Sequence, residues 1–252
     1  MTRGASGIGL ATARRLAEEG AHVAILDVDG AGAERAAGEV GGLAFAVEVC
    51  DGARVEDATR EAARALGGLS LLVANAGAGF LAPLHASPAE AFERVVAVNL
   101  AGVWHTLRSA IPCLLEGGGG AIVNVASASA LRPTRGESLY SAAKARVVAL
   151  TQGAAQEYGP GIRVNCVSPG VIRTPLSEAL FRAPGLLDPV REATPLARTG
   201  TAGEVADVIV FLLSDLARFV TGQNLVVDGG LGLPQAGIDP VLRGILDRGR
   251  RR

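Results

Sequence analysis

The chain is poor in several residue types, and each scarcity excludes some classes of functional site. Its 252 residues contain 24 lysines and arginines, of which one, Lys144, is a lysine, and three histidines. The three cysteines, Cys50, Cys113 and Cys166, are far apart and form no CxxC pair, which favours neither a disulfide framework nor a zinc site. We therefore expect reduced thiols and no bound metal.

An excess of charge and long apolar runs are also missing. The 25 acidic residues nearly balance the 24 basic ones, and a net charge of -1 gives no positive footprint for nucleic acid or an anionic membrane. No uninterrupted apolar run reaches about 18 residues, and the N-terminus lacks a basic segment followed by an apolar one. The sequence therefore predicts a cytoplasmic protein with no membrane span, no signal peptide and no nucleic-acid partner.

Short apolar segments alternate with longer segments of helical periodicity, which is typical of a parallel sheet covered by helices on both faces. Strands are predicted at 21–27, 43–49, 69–75, 121–127, 162–167 and 224–227. Helices are predicted at 8–19, 54–66, 89–115, 140–158 and 203–213. The expected fold is an α/β, doubly wound sheet in one domain at 1–230, with a tail at 231–252.

Two segments depart from this alternation. Residues 176–200 combine prolines with apolar side chains, which predicts a mobile apolar flap over the substrate. The apolar content of this flap predicts a substrate with an apolar body. The tail ends in an arginine cluster at 248–252, so we expect it to be partly disordered or docked on a neighbouring subunit.

A glycine-rich loop runs directly into the first predicted helix. Gly4, Gly7 and Gly9 place backbone N–H groups where they can bind a pyrophosphate at the helix N-terminus. Asp27 ends the next apolar segment, near the spacing at which a carboxylate accepts hydrogen bonds from an adenosine ribose. The glycine-rich loop and Asp27 together predict a Rossmann-like dinucleotide site. Because a carboxylate repels a 2′-phosphate, this site is expected to prefer NAD to NADP. A tight turn and an ordinary strand-end aspartate are the alternative interpretations.

Tyr140 and Lys144 are four positions apart in an alanine-rich helical segment, so they share one helix face. An ammonium group stabilises a phenolate and lowers the tyrosine pKa towards the range that suits acid and base chemistry at pH 7. Since every other basic position is arginine, the single lysine indicates a need for a compact charge with rotatable donors. Ser127, with Ser129 as its rival, would lie at the carboxyl edge of the sheet, where ligands bind. Both serines could instead be strand-end caps.

Together these motifs resemble the short-chain dehydrogenases/reductases over nearly the whole chain. The matching segments are TRGASGIG at 2–9, NAG at 75–77, VNL at 98–100, Ser127 thirteen residues before Tyr140, YSAAK at 140–144, NCVSPGVIRT at 165–174 and VDGG at 227–230. The resemblance implies hydride transfer between NAD(H) and a secondary alcohol or ketone. Reduction of a 3-oxoacyl thioester is the alternative reaction.

The resemblance also implies roles for individual residues. Tyr140 would be the general acid and base, and Ser127 would polarise the substrate carbonyl or alcohol. Lys144 would bind the nicotinamide ribose and lower the tyrosine pKa, and Asn99 would hold a proton-relay water. The implied cofactor-binding residues are Gly4, Ser6, Gly7, Ile8, Gly9, Asp27, Glu48, Val49, Asn75, Ala76, Gly77, Tyr140, Lys144, Pro169, Gly170, Ile172 and Thr174.

The resemblance further implies a homo-oligomer, a dimer or a homotetramer. The helices that contain Trp104 and Val147–Val148 are the predicted contacts between copies of the chain. The implied partners are therefore a small-molecule substrate and further copies of the same chain.

Two departures from the family pattern concern the start of the chain. The pattern places a strand before the glycine loop, where this chain has Met1 alone, so neighbouring strands would lose backbone partners at about 1–3 kcal/mol for each buried group. Arg3 stands where the first loop glycine belongs, and its bulk is expected to obstruct the pyrophosphate or strain the backbone. One account is that the chain has a wrong start or is a fragment of an ordinary NAD-linked dehydrogenase. The other is a weakened dinucleotide-binding or scaffolding relative that retains the catalytic residues.

Overall fold

The structure is a computed structural model, and it describes residues 1–233. Within that range the helices are α1 (Gly7–Glu18), α2 (Gly30–Val40), α3 (Gly52–Ala65), α4 (Ala89–Val96), α5 (Gly102–Glu116), α6 (Ser138–Tyr158), α7 (Glu178–Arg182), α8 (Asp188–Ala193) and α9 (Ala202–Leu213). The strands are β1 (Ala24–Asp27), β2 (Leu43–Ala46), β3 (Leu71–Ala74), β4 (Gly120–Val125), β5 (Ile162–Pro169), β6 (Ile172–Arg173), β7 (Gly200–Thr201) and β8 (Asn224–Val227).

The paired strands of the described residues are all parallel. β1 pairs with β2, the larger sheet has the order β3-β4-β5-β8, and β6 pairs with β7. Met1 and Thr2 lie between β1 and β3. The N–H of Leu26 donates to the Met1 carbonyl at 2.9 Å, and the N–H of Thr2 donates to the Val73 carbonyl at 3.1 Å. These two residues therefore join the two sheets, giving the order β2-β1-(1–2)-β3-β4-β5-β8.

This junction corrects one expectation about the strand in front of the glycine loop. Backbone groups of Leu26 and Val73 have partners, and the amino group of Met1 donates to the Ala24 carbonyl at 2.6 Å. Burial lowers the pKa of that amino group to about 5. Met1 and Thr2 thus supply partners to Ala24, Leu26 and Val73, so these three backbone groups are not left unpaired as expected.

Helices cover both faces of the sheet. α1, α2 and α9 pack on one face in a cluster that includes Ile25 and Ile209. α5 and α6 pack on the other face in a cluster that includes Leu114 and Val147, and α3 covers β1 and β2 through Val55. The predicted doubly wound, Rossmann-like α/β fold in one domain is confirmed.

Several elements differ from their predicted bounds. Most predicted strands are longer than the observed ones, while the strand at 224–227 agrees with β8. The helix predicted at 89–115 is divided by a π-helical turn at Ala97–Ala101. α2 was missed because it contains glycines at 30, 32 and 38; it forms because Asp29 accepts a hydrogen bond from the N–H of Gly32 at 2.9 Å, and because Ala33 and Ala36 are buried.

The segment predicted as a flap is more regular than expected. It contains α7 and α8, and Leu187 is buried. The tail predicted at 231–252 lies outside the described residues from position 234 onward. Among the described helices, none is long and apolar enough to cross a membrane.

Thr2 is expected to be essential to the sheet junction. Its buried hydroxyl accepts the N–H groups of Asn75 at 3.0 Å and of Ala76 at 3.2 Å. Thr2→Val preserves the shape and removes the acceptor, so we expect urea unfolding to show a loss of about 1–3 kcal/mol for each orphaned N–H. Thr2→Ser is the matched control because it keeps the oxygen. A valine variant as stable as the serine variant would contradict this role.

Candidate active site

The predicted site residues converge at the carboxyl edge of the sheet. Asp27 ends β1, Ser127 follows β4, and Pro169 ends β5. The strand order reverses on either side of the 1–2 segment, since β1 and β2 lie on one side and β3, β4, β5 and β8 on the other. In open α/β sheets such a reversal opens a crevice that binds ligands, and here its walls are the loops after Thr2 and after β3.

The glycine loop forms the first wall of the crevice. α1 begins at Gly7, and its N-cap Ser6 makes no side-chain hydrogen bond, so the first N–H groups of the helix remain open to an anion. A Cβ atom at Gly9 would overlap the Arg3 carbonyl oxygen, which explains why a glycine is needed there. A Cβ atom at Gly7 would lie 3.3 Å from the Thr174 side chain, so the loop after β5 reaches the glycine loop.

Asp27 ties the glycine loop to the end of β1. One carboxylate oxygen accepts the N–H of Ala5 at 3.0 Å and the other accepts the N–H of Asp29 at 3.1 Å. The side chain is buried, yet each oxygen has a second lone pair for a ligand hydroxyl. Glu48 and Val49 follow β2, and Glu48 is exposed while Val49 is buried.

The loop after β3 forms the second wall. The Asn75 side-chain amide donates to the Arg3 carbonyl at 3.1 Å, which connects the two walls. The buried Asn99, in the π-helical turn, accepts the Ala78 N–H at 3.2 Å and donates to the carbonyls of Ala78 at 2.8 Å and Val95 at 3.0 Å. Its amide is therefore occupied in positioning this loop, and the relay water stays a prediction.

The reacting side chains lie between β4 and α6. The Lys144 ammonium is 5.9 Å from the centre of the Tyr140 ring. Ser127 interacts with the phenol of Tyr140, whereas Ser129 donates a hydrogen bond to the Glu137 carboxylate at 2.8 Å. Ser127 is thus the serine that affects the pKa of Tyr140, and it remains the candidate partner of the tyrosine.

Burial controls the ionisation of the tyrosine. It raises the pKa of Tyr140 above its ordinary value, the Ser127 side chain lowers it, the Glu137 charge raises it, and the Arg3 charge lowers it. The net shift is upward because loss of solvation outweighs the favourable contacts, and a lowering of this pKa by Lys144 stays a prediction.

Lys144 is a buried charge with unused donors. Burial lowers its pKa from 10.5 to about 8, the Cys166 thiol raises it, and the Arg3 charge lowers it further. Within residues 1–233 its ammonium has one hydrogen-bond acceptor, the Val125 carbonyl at 2.9 Å. A Cβ atom at Gly77 would lie 3.2 Å from the ammonium nitrogen. Two N–H donors are thus left for a ligand, and any side chain at position 77 would crowd them.

These features fit a nicotinamide dinucleotide. Open N–H groups at α1 suit a diphosphate, Asp27 suits ribose hydroxyls, and the spare donors of Lys144 suit a second ribose. Arg3 is the exception to this fit. Its φ of 50° is in the left-handed region that favours glycine, and its guanidinium donates to the Gly77 carbonyl. The backbone conformation expected to be strained at Arg3 is therefore present, whereas obstruction of the pyrophosphate by its side chain stays a prediction.

Sequence reasoning missed three contacts in the site. The side chain of Arg3 reaches Gly77, the hydroxyl of Thr2 holds the loop after β3, and the thiol of Cys166 lies near Lys144. The first of these joins residues 74 positions apart. The departure of Arg3 from the glycine pattern was the one signal in the sequence, and it did not indicate a partner.

Comparison with known proteins identifies the family. The family model described as enoyl-(acyl carrier protein) reductase matches residues 4–232. The chain is 41% identical over 228 residues to inactive 2-(S)-hydroxypropyl-CoM dehydrogenase 2 of Xanthobacter autotrophicus, which covers 87% of this chain and 98% of that protein. It is 36% identical over 236 residues to D-threitol dehydrogenase of Mycolicibacterium smegmatis, covering 91% of this chain and 90% of that protein.

Solved structures agree with these relatives. Levodione reductase superposes with a TM-score of 0.88 at 35% identity, covering 93% of this chain and 96% of that one. The 3-ketoacyl-(acyl-carrier-protein) reductase from Brucella melitensis, complexed with NADH, superposes with a TM-score of 0.87 at 37% identity, covering 92% of this chain and 96% of that one. The site is thus that of a dinucleotide-dependent oxidoreductase. The chain belongs to the short-chain dehydrogenase/reductase family, as its motifs indicated.

The buried lysine predicts a pH dependence of stability. Its pKa is about 8 in the folded protein and near 10.5 when exposed, so between these values the unfolded chain binds more protons and stability rises with pH. The free energy of unfolding of the parent protein, relative to that of Lys144→Met, is expected to increase by roughly 3 kcal/mol from pH 8 to 10.5. Both proteins should carry Cys166→Ala, because this thiol, whose pKa burial raises to about 11, titrates in the same range.

Arg146→Met is the control for this measurement, since it removes an exposed charge from the same helix. We expect it to leave the pH profile unchanged. Parallel profiles for the parent protein and Lys144→Met would contradict the lowered lysine pKa.

Proposed function

We propose that the protein is an NAD(H)-dependent oxidoreductase that interconverts a secondary alcohol and a ketone. The observation that carries this proposal is the buried Lys144 beside Tyr140 and Ser127, on the same sheet edge as Asp27 and the glycine loop. A buried ammonium with two free donors needs a polar ligand to offset its lost solvation. A dinucleotide ribose and a substrate oxygen supply such partners.

The proposed mechanism divides the chemistry between the cofactor and the chain. The bound nicotinamide accepts or supplies the hydride. Tyr140 moves the proton to or from the substrate oxygen, and Ser127 orients that oxygen by a hydrogen bond. Lys144 holds the ribose hydroxyls with its spare donors and brings a positive charge to the phenol side of the crevice. The raised pKa of Tyr140 keeps the phenol protonated at neutral pH, which suits its action as the acid in ketone reduction.

Asp27 supports a preference for NAD over NADP. Its buried carboxylate accepts N–H groups from both Ala5 and Asp29, so it is held at the end of β1 and cannot turn away from a ligand. A 2′-phosphate beside this carboxylate would bring like charges together in a partly desolvated site.

The substrate is proposed to have an apolar body. Leu176, Leu180 and Leu186 in the predicted flap are exposed at 49%, 40% and 52%. These exposed leucines follow Thr174 in the chain. They offer an apolar surface to a substrate that enters from that side.

Reduction of a 3-oxoacyl thioester is the second candidate reaction. It is supported by the match to the family model described as enoyl-(acyl carrier protein) reductase and by the structural likeness to a ketoacyl reductase. Because that reductase is described as complexed with NADH, a preference for NAD does not separate the two reactions. Direct comparison of substrates is needed to separate them.

A non-catalytic dinucleotide-binding protein is the candidate from a different class. It is supported by the position of the Arg3 guanidinium in the crevice and by a relative whose name describes it as inactive. The tyrosine, lysine, serine and asparagine of the family pattern are all present in this chain, which favours the enzyme.

We further propose the homo-oligomer that the sequence predicted. Trp104 on α5 is 46% exposed, and Leu225 and Val226 on β8 are 37% and 42% exposed, which leaves apolar surface for a second copy. Val147, in contrast, is fully buried in the core of its own chain and is not available as a contact, while its neighbour Val148 is partly buried.

Replacement of the tyrosine tests the mechanism. We expect Tyr140→Phe to lower kcat by about 10³-fold, because general acid and base catalysis is lost, and to leave NADH binding within about twofold. Turnover is followed by NADH absorbance with a panel that pairs bulky apolar alcohols and ketones with small polar ones and includes a 3-oxoacyl thioester. Tyr158→Phe is the control, since it changes the other tyrosine of the chain.

Several outcomes of this panel would count against the proposal. Full activity of Tyr140→Phe would refute the assigned acid and base. A preference for small polar substrates would refute the apolar body, and selective turnover of the thioester would favour the second reaction. Dinucleotide binding without turnover of any compound would favour the non-catalytic protein.

Removal of the ribose-side carboxylate charge tests cofactor preference. We expect the parent protein to bind NADH more tightly than NADPH, and Asp27→Asn to reduce that ratio by about tenfold, because the repulsion of the 2′-phosphate is removed. Both affinities are measured by the fluorescence of the reduced nicotinamide. Asp51→Asn removes a charge at the start of α3 and should leave the ratio unchanged. An unchanged ratio in Asp27→Asn would contradict the role of this carboxylate.

A further inference from the structure

Arg3 lies in the crevice where the strand order reverses. Its backbone follows the 1–2 segment, and its side chain extends to the loop after β3, where the guanidinium donates to the Gly77 carbonyl. The hydrogen bond therefore connects the two walls of the crevice. A bridge at this place occupies space that open α/β folds leave for a ligand.

The far end of this bridge is close to the reacting groups. A Cβ atom at Gly77 would lie 3.1 Å from the Asn99 side-chain oxygen and 3.2 Å from the Lys144 ammonium nitrogen. Burial raises the pKa of Tyr140 and lowers that of Lys144, and the Arg3 charge lowers both. The guanidinium is thus on the Lys144 side of the crevice rather than at the start of α1, where a diphosphate would be expected.

The main chain at Arg3 has little freedom to relieve this arrangement. Its carbonyl accepts the Asn75 side-chain amide at 3.1 Å, and it holds a φ of 50°, which is unfavourable for a residue with a Cβ atom. Rotation of the side chain is therefore the simplest way to clear the crevice. The Arg3 guanidinium is also held beside a like charge, Lys144, by one hydrogen bond to a carbonyl.

We propose that Arg3 is a displaceable occupant of the dinucleotide crevice, and that its guanidinium must release Gly77 before a dinucleotide binds. The inference rests on the proposed function, because it concerns the same crevice. The hydrogen bond broken on displacement involves a charged donor, so its loss weakens dinucleotide affinity by about tenfold or more. Arg3 then sets the affinity for the cofactor without contacting the substrate.

The test measures equilibrium binding of NADH by fluorescence for the parent protein, Arg3→Gly and Arg3→Ala. We expect both variants to bind NADH about tenfold more tightly, because the bridge is absent. Arg3→Gly also removes the unfavourable φ, so comparison with Arg3→Ala separates the loss of strain from the loss of the guanidinium. Thermal unfolding of each variant is recorded beside the titration.

Two controls accompany this titration. Arg14→Ala removes the same charge from an exposed position on α1, where Arg14 pairs with Glu39 at 2.6 Å, and should leave NADH binding unchanged. AMP serves as a second probe because it carries the adenosine half of the dinucleotide and lacks the nicotinamide half. Its affinity, measured by calorimetry, should not change in either Arg3 variant.

The outcomes separate the inference from the proposed function. Equal or weaker NADH binding by Arg3→Gly overturns the inference alone, and weaker binding of both NADH and AMP would make Arg3 a phosphate ligand instead. If neither the parent protein nor the two Arg3 variants bind NADH or NADPH, the proposed function fails and the inference fails with it.

Discussion

The functional edge of this protein depends on the pairing of two residues with the strands on either side of them. Met1 and Thr2 bond to β1 through the Leu26 N–H and to β3 through the Val73 carbonyl. Thr2 adds its hydroxyl to the loop after β3. Without these bonds the β1–β2 pair and the larger sheet have no shared strand, and the loops that follow them have no fixed separation. Both walls of the crevice are therefore positioned by this junction.

Charged side chains lie on both sides of the crevice. Asp27 is held on the β1 side by backbone N–H groups, while Lys144 and the guanidinium of Arg3 lie on the β3 side. Burial destabilises the charged form of Lys144 and thereby lowers its pKa to about 8. In the proposed binding mode, a dinucleotide would offer hydroxyls to the carboxylate, oxygens to the ammonium and anionic phosphates to the first turn of α1. One ligand would then meet polar groups that the protein alone leaves partly unsatisfied.

Much of the site was predictable because its signals are local. Lys144 follows Tyr140 by one helical turn, and each loop that ends a parallel strand reaches the same edge, so the sequence order of Asp27, Ser127 and Pro169 translates directly into position. Local reasoning failed where packing competes with propensity. α2 forms despite its glycines because small alanines are buried against β1 and β2, and the π-helical turn at Asn99 inserts a residue that a 3.6-residue period does not reveal. The sign of the tyrosine pKa shift also depended on burial, which spacing does not report.

The sequence by itself determined the fold class, the family and the candidate reacting residues, because these follow from periodicity and from motifs a few residues long. Only the tertiary structure decided which serine affects the pKa of Tyr140, how the sheet is joined at Met1 and Thr2, and where the side chain of Arg3 lies. Each of these depends on a contact between residues distant in the chain. Such contacts depend on the packing of whole elements, and a single sequence does not specify that packing at the level of one side chain.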